Sequence, residues 1–151
     1  MQSQHRNLSL LFILGLLVIF CPLGIDIYLP AFPTIAEQLN ASEKQLQQTV
    51  AIFMLTVGLG QLIAGPLADK FGRKPVAITG VTIYGLAAFG AYLAPDFTTL
   101  MIARALQGLG ACATFVVAFA IVRDKFGSER SGQIITYLNG IVCFIPALAP
   151  I

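Results

Sequence analysis

Long apolar stretches, separated by short polar or charged clusters, run through the whole chain. Between Arg6 and Glu37 the only charged residue is Asp26, and four further stretches of similar character follow. A helix needs about 20 consecutive apolar residues to cross the hydrocarbon core of a bilayer. We therefore predict an all-α membrane protein with about five transmembrane helices, over residues 8–29, 43–67, 76–94, 97–122 and 132–151.

Local signals set several of these boundaries. Pro30 and Pro33 interrupt regular structure after the first helix. Ser42 and Gln45 have the spacing of a capping box, which predicts that the second helix starts near Glu43.

Small residues recur at every fourth position within three of the predicted helices. This spacing allows two backbones to approach closely, although alanine and glycine are also common in membrane helices for other reasons. The repeats are Gly60, Ala64 and Ala68; Ala87 and Ala91; and Gly108 and Cys112.

The amino-acid composition is also typical of a protein that is surrounded by lipid. The chain is 57% hydrophobic and only 11% charged, whereas soluble domains carry about 25% charged residues. A net charge of +2 is too small to indicate a nucleic-acid partner.

The sequence offers no chemistry for an enzyme or a metal centre. It contains no Walker loop, no glycine-rich dinucleotide fingerprint and no nucleophile–base arrangement. The lone His5 lies in the polar N-terminal tail. The cysteines are odd in number and stand within apolar runs, so we interpret Cys21, Cys112 and Cys143 as small buried hydrophobic residues.

Lysine and arginine are distributed unevenly between the predicted loops. Lys44 alone lies on one side, and the opposite side carries Arg6, Lys70, Arg73, Lys74, Arg123, Lys125 and Arg130. Cytoplasmic segments are enriched in these residues, so the N-terminus is predicted to be cytoplasmic.

Two charges fall within predicted membrane helices. Asp26 lies near the outer end of the first, and Arg104 lies roughly 12 Å below Asp96 in the fourth. The two side chains are therefore expected at a similar depth, where they can interact electrostatically or form an ion pair. Burial disfavours a charged carboxylate and a nearby arginine favours it, so the protonation of Asp26 can respond to conformation or ligand.

Each charge also has a simpler interpretation. Asp26 could cap an interfacial turn before Pro30, and Arg104 could extend to the outer headgroups. Gln107 follows Arg104 on the same helix face, with glycines next to it, which favours an interior position. Tyr28 and Phe115 face either a cavity or lipid.

The segment GPLADKFGRKP, residues 65–75, resembles the signature G-x-L-a-D-r-x-G-r-k of the major facilitator superfamily, which lies in the same loop between helices 2 and 3. Residues 26–33, DIYLPAFP, and 104–111, RALQGLGA, are similar to the helix 1 and helix 4 motifs of its drug–proton antiporter branch. The whole chain is similar to the N-terminal third of exporters of the bicyclomycin/chloramphenicol-resistance type. Ala149-Pro150 stands where that branch carries a Gly-Pro antiporter motif, which is thus incomplete.

The resemblance implies twelve helices in two six-helix halves, of which residues 1–151 would form an incomplete N-terminal half. It implies multidrug efflux, and so antibiotic resistance, by proton-coupled antiport across the inner membrane. The gradient would supply the energy with no cofactor, and the partners would be small-molecule substrates, protons, lipid and the remaining C-terminal helices. By position, Asp26 would be a proton- or substrate-linked carboxylate, and Arg104 with Gln107 would take part in proton transfer.

The resemblance also implies a cytoplasmic conformational latch, formed by Gly65, Asp69, Gly72, Arg73 and Lys74. In physical terms the glycines permit close approach and a sharp turn, and Asp69 could meet a helix N-terminus of the other half. Arg73 could pair with Asp124 at the inner end of helix 4. These contacts would stabilise an inward-closed state, although the basic residues also serve topology.

Two alternatives stay open. The chain could belong to a major facilitator transporter of another solute, such as a sugar, an amino acid or another metabolite. It could also be a truncated, non-transporting membrane fragment, because five helices cannot enclose the cavity that two halves build.

Overall fold

The computed structural model describes residues 2–148, and every regular element within them is helical. A 3₁₀ turn at Leu29–Ala31 follows the first helix. The α-helices are α1, Gln2–Asp26; α2, Phe32–Leu39; α3, Glu43–Phe71; α4, Arg73–Tyr92; and α5, Phe97–Leu148.

Within the described part of the chain, four segments are long and apolar enough to cross a membrane. They are Ser9–Leu39, Glu43–Phe71, Arg73–Tyr92 and Phe97–Gly127. The fifth predicted segment, 132–151, is helical as far as Leu148, and its last three residues lie outside the described residues.

The first helix ends earlier than the predicted boundary at residue 29. It stops at Asp26, and Ile27 and Tyr28 form a turn. Pro30 and Pro33 then occupy early positions of the 3₁₀ turn and of α2, where a missing backbone N–H is tolerated. The short α2 differs from the irregular structure predicted after residue 29, because a proline is tolerated in the first turn of a helix.

The loop predicted between the second and third helices is reduced to one residue. The start of α3 carries the capping box, with Gln45 N–H donating to Ser42 Oγ at 3.3 Å. Instead of ending at 67, α3 continues to Phe71, and α4 begins at Arg73 rather than 76. Gly72 makes the turn with φ 93°, a conformation that favours glycine.

The loop predicted at residues 123–131 is reduced to a kink. Two helices meet within the segment Phe97–Leu148 at Gly127, which has non-helical backbone angles, φ 65° and ψ 173°. Ser131 Oγ donates to the carbonyl of Val122 across this break, at 3.2 Å. The charged residues on either side of Gly127 are helical because arginine, lysine and glutamate are good helix formers.

Helix α5 is the centre of the fold, since α1, α3 and α4 all pack against it. One core cluster joins α1 to α5 through Leu14, Val18, Ala118 and Val122. A second joins α3 to α5 through Phe53, Val57, Ala111 and Cys112.

Glycines on facing helices bring the backbones together, as the small-residue spacing predicts. A Cβ at Gly108 would collide with the Phe53 carbonyl of α3 at 2.5 Å, and one at Gly110 would collide with the Tyr84 nitrogen of α4 at 2.6 Å. Two glycines within one turn of α5 thus allow the close approach of two different helices.

The expected burial of the cysteines holds only in part. Cys112 is buried between α3 and α5, and Cys21 is half-buried. The prediction is wrong for Cys143, which is exposed because no described helix covers its face of α5.

Two glycines of α4 provide a matched test of this packing. A Cβ at Gly80 would lie 2.8 Å from Ala113 Cβ, whereas a Cβ at Gly85 meets nothing within 4 Å. We expect Gly80→Ala to destabilise the chain by about 1–3 kcal/mol, because α4 must move away from α5. Gly85→Ala should leave stability unchanged or slightly raised. Thermal unfolding in detergent micelles measures both, and equal midpoints would contradict the close approach.

Candidate functional site

Arg104 is the largest fully buried side chain among the described residues, with 2% of its surface exposed. It projects from α5 toward the end of α1 and the first half of α3. Arginine is rarely buried within a membrane segment unless it faces a bundle interior or a cavity and has partners there. The structure therefore gives Arg104 an interior position, and not one that extends to the headgroups.

Two hydrogen bonds fix the guanidinium. Nη1 donates to Gln107 Oε1 at 2.8 Å, and Nη2 donates to the carbonyl of Gly24 at 2.8 Å. Gln107 lies one turn along α5 from Arg104 and is itself 7% exposed. The bond to Gly24 connects α5 to α1 two residues before Asp26, so both charged residues occupy the same region of the bundle.

Gly24 is closely surrounded. A Cβ at this position would lie 2.8 Å from Phe53 Cζ and 3.2 Å from the Tyr84 hydroxyl. The absence of a side chain thus lets α1 come close to the Phe53 ring of α3 while its carbonyl accepts from Arg104.

Two aromatic rings contact the same guanidinium. Arg104 Cζ lies 4.0 Å from the Tyr28 ring centroid and 4.7 Å from that of Phe53. Such cation–π contacts are stronger where water is excluded. Three separate segments of the chain thus stabilise a single buried positive charge.

Two buried polar atoms in the described residues have no hydrogen-bond partner, and both belong to this site. They are Arg104 Nε, a donor, and Asp26 Oδ2, an acceptor. Although both side chains are described, no ion pair joins them, so the pairing considered from the sequence is not present in this conformation. Unsatisfied buried groups are rare in native proteins and often mark functional positions.

A cavity of about 580 Å³ opens beside Arg104. Arg104, Gln107 and Tyr28 line it, with Tyr84 from α4 and Ile35 from α2 among the other residues. The volume lies within the range of small-molecule pockets, and the arrangement of apolar walls with few polar groups is typical of them.

The two aromatic residues whose surroundings the sequence left open are now placed. Tyr28 lines the cavity, whereas Phe115 packs against Phe119 within the α1–α5 core.

A second polar cluster lies at the opposite, lysine- and arginine-rich end of the bundle. Arg73 Nε donates to Asp124 Oδ2 at 2.9 Å, which is the pairing predicted from the sequence. Arg73 also forms an ion pair with Asp69 at 2.6 Å, one helical turn earlier. Asp69 and Asp124 are both more than half exposed, so this cluster is open at the surface.

The remaining residues of this cluster behave differently from one another. Gly72 makes the turn between α3 and α4, as expected, and Lys74 is exposed at the start of α4. A Cβ at Gly65 would meet no described atom within 4 Å, so the close approach expected there stays a prediction.

Sequence reasoning missed three contributors to the Arg104 site: Gly24, Phe53 and Thr49. None carries a charge. Gly24 and Phe53 lie within apolar runs and Thr49 directly precedes one, so nothing in the sequence sets them apart from packing residues. Phe53 and Thr49 are one helical turn apart on α3, which is the only signal that places them on a common face.

The geometry of the site and the comparison with known proteins indicate the same class of protein. The bundle is a multi-pass membrane protein with a buried arginine beside a cavity, and the family model described as "Major Facilitator Superfamily" matches residues 14–151. Because this match takes in most of the chain, the chain belongs to the Major Facilitator Superfamily.

Within this superfamily, the chain is similar to individual multidrug resistance proteins. The chain is 44% identical over 135 residues to the multidrug resistance protein MdtL of Vibrio parahaemolyticus serotype O3:K6. It is 45% identical over 135 residues to proteins of the same name from Escherichia coli and Shigella boydii serotype 18. Each match covers 89% of this chain and 34% of the relative, so the chain spans about a third of the length of these curated relatives.

The hydrogen bond between Arg104 and Gln107 can be tested through stability. Gln107→Leu removes the acceptor for Nη1 and leaves a charged donor unpaired, which we expect to cost about 1–3 kcal/mol. Gln61→Leu, the same change at an exposed position of α3, should cost nothing. Thermal unfolding of the purified variants in detergent is the measurement, and an equal loss for both would contradict the bond.

Proposed function

We propose that this chain is part of a proton-coupled exporter of small lipophilic molecules that works by alternating access. The observation that carries the proposal is the buried Arg104, held by three segments beside a largely apolar cavity. The names of its relatives favour drug-like cargo over other solutes of the superfamily.

The cavity supports binding of a lipophilic ligand. Apolar walls would supply the binding energy, and Gln107 and the tyrosine hydroxyls would orient the polar groups of the ligand. No step in this function requires a bond of the substrate to be made or broken, so the chain acts as a transporter and not as an enzyme.

Asp26 is the proposed proton site. Its Oδ2 is buried without a partner, close to the helix end that Arg104 contacts through Gly24. Movement of Arg104 toward Asp26 would pair this oxygen, and arrival of a proton would remove the charge that such a pair compensates. Protonation of Asp26 and the position of Arg104 would thereby depend on one another.

The Arg73 cluster is proposed to act as a conformational latch. Arg73 bridges Asp69 at the end of α3 and Asp124 in α5, so it connects elements that change their relative position if the bundle rocks. Gly72 provides the tight turn between α3 and α4. Gly65 and Lys74 are the first and last residues of the proposed latch segment. An exposed ion pair of this kind contributes little free energy, about 1 kcal/mol or less, which suits a contact that must break in each cycle.

The proposed setting is the inner membrane, with the N-terminus and the Arg73 cluster on the cytoplasmic side, as the lysine and arginine distribution favours. The partners would be protons, the substrate, lipid and further helices of the same fold. The energy source would be the proton gradient, without a cofactor.

Transport by cells that express the complete reading frame encoding this chain tests the proposal. We expect efflux of ethidium or chloramphenicol that stops when the proton gradient is dissipated. Asp26→Asn should abolish the gradient-dependent component, because an amide cannot carry the proton. Asp96→Asn, at the exposed turn between α4 and α5, should leave it unchanged. Absent efflux would refute the export function, and efflux that is insensitive to the gradient would refute proton coupling. Efflux that is unaffected by Asp26→Asn would refute the role of Asp26.

The latch has its own test by charge exchange. Arg73→Asp and Asp124→Arg should each reduce efflux severalfold, and the double variant should recover part of the loss because the pair is restored in reverse. Arg123→Asp with Asp124→Arg makes the same change in net charge without restoring the pair, and should not recover. Additive damage in the reversed pair would exclude the latch contact.

A further inference from the structure

The Tyr28 ring that covers Arg104 is tethered at its far end. The Tyr28 hydroxyl lies 2.7 Å from Thr49 Oγ1, and Thr49 is fully buried in α3. Tyr28 itself stands in the turn after α1, outside any regular helix. Its ring position therefore depends on side-chain contacts more than on the backbone.

The direction of this hydrogen bond follows from the partners of Thr49. Thr49 Oγ1 donates its single hydrogen to the carbonyl of Leu46 at 2.6 Å. A hydroxyl has one hydrogen to donate and two lone pairs to accept. Tyr28 must then be the donor, and a chain of two hydrogen bonds runs from the Tyr28 hydroxyl to the α3 backbone.

The other contacts of the Tyr28 ring are less restrictive. Phe32 meets it edge-on with ring centroids 5.2 Å apart, and the Arg104 guanidinium lies against its face at 4.0 Å. Neither contact is a directional bond to the end of the ring. The hydroxyl bond is, and it fixes the position of the ring at the end farthest from Cα.

We propose that Tyr28 and Thr49 form a positioning pair that holds the Arg104 guanidinium in the orientation used for transport. Tyr28 covers the guanidinium on one side, Phe53 contacts it from α3, and Thr49 anchors Tyr28 to that same helix one turn before Phe53. Helix α3 thereby controls both aromatic contacts of Arg104 without donating a hydrogen bond to it. This inference rests on the proposed function, in which Arg104 acts in coupling.

The direct test observes Arg104 itself and does not depend on transport. In the purified ¹⁵N-labelled chain in lipid nanodiscs, the Arg104 Nε–H resonance, assigned by its loss in Arg104→Lys, should lie apart from those of the other arginines because of the nearby rings. Tyr28→Phe, which removes only the hydroxyl, and Thr49→Val, which removes only its partner, should each shift or broaden it in the same way. Thr114→Val, an equally buried hydroxyl that bonds only to its own helix, should not.

The second readout is the pH profile of efflux by the complete reading frame. Tyr28→Phe and Thr49→Val should each lower the rate about three- to tenfold, which corresponds to the loss of one hydrogen bond, and should shift the pH midpoint together. The double variant should be no worse than either single variant, because both remove the same bond. Thr114→Val should keep the rate and the midpoint.

An Arg104 resonance that is unchanged in both Tyr28→Phe and Thr49→Val overturns the positioning role, whatever the efflux results. Additive effects of the two substitutions, or effects matched by Thr114→Val, overturn it as well. Absent efflux in the unaltered protein would instead refute the proposed function, and the resonance would still decide whether Tyr28 and Thr49 hold Arg104.

Discussion

The cost of a buried positive charge governs the organisation of this bundle. A charge at the centre of a bilayer costs at least about 2.5–3.5 kcal/mol on insertion scales, and Arg104 is 2% exposed. Its surroundings offset this cost from several directions: a carbonyl from α1, an amide from α5 and two aromatic rings. The helices must therefore be packed in one particular arrangement for the charge to be tolerated.

The glycines make this arrangement possible. Gly24 lets α1 offer its carbonyl beside the Phe53 ring, and Gly108 lets α3 approach α5 one turn after Arg104. Gly110 then admits α4 on another side. Stabilisation of the charge thus depends on close helix packing, because a wider spacing between the helices would leave the guanidinium without partners.

Much of this could be predicted from the sequence, because hydrophobic runs and rare charges are strong signals in a membrane protein. The helical class, the interior position of Arg104 and the Arg73–Asp124 pair follow from run lengths, helix periodicity and charge. The boundaries were less predictable: charged residues at 68–71 and 123–131 are helical, because helix propensity does not distinguish water-exposed helix from loop. The roles of Thr49 and Phe53 could not be predicted, because uncharged residues reveal their contacts only in three dimensions.

The single-residue break at Gly127 has a mechanical consequence. A flexible loop would let the two parts of α5 tilt independently, but one residue offers only two rotatable backbone angles, and the Ser131–Val122 bond restrains even these. Leu138, after the break, also packs with Ala118 and Val122 before it, so the two helices are held together by contacts as well as by the short joint. A tilt of the helix before Gly127 is therefore expected to carry the helix after it along, so that the two move as a unit.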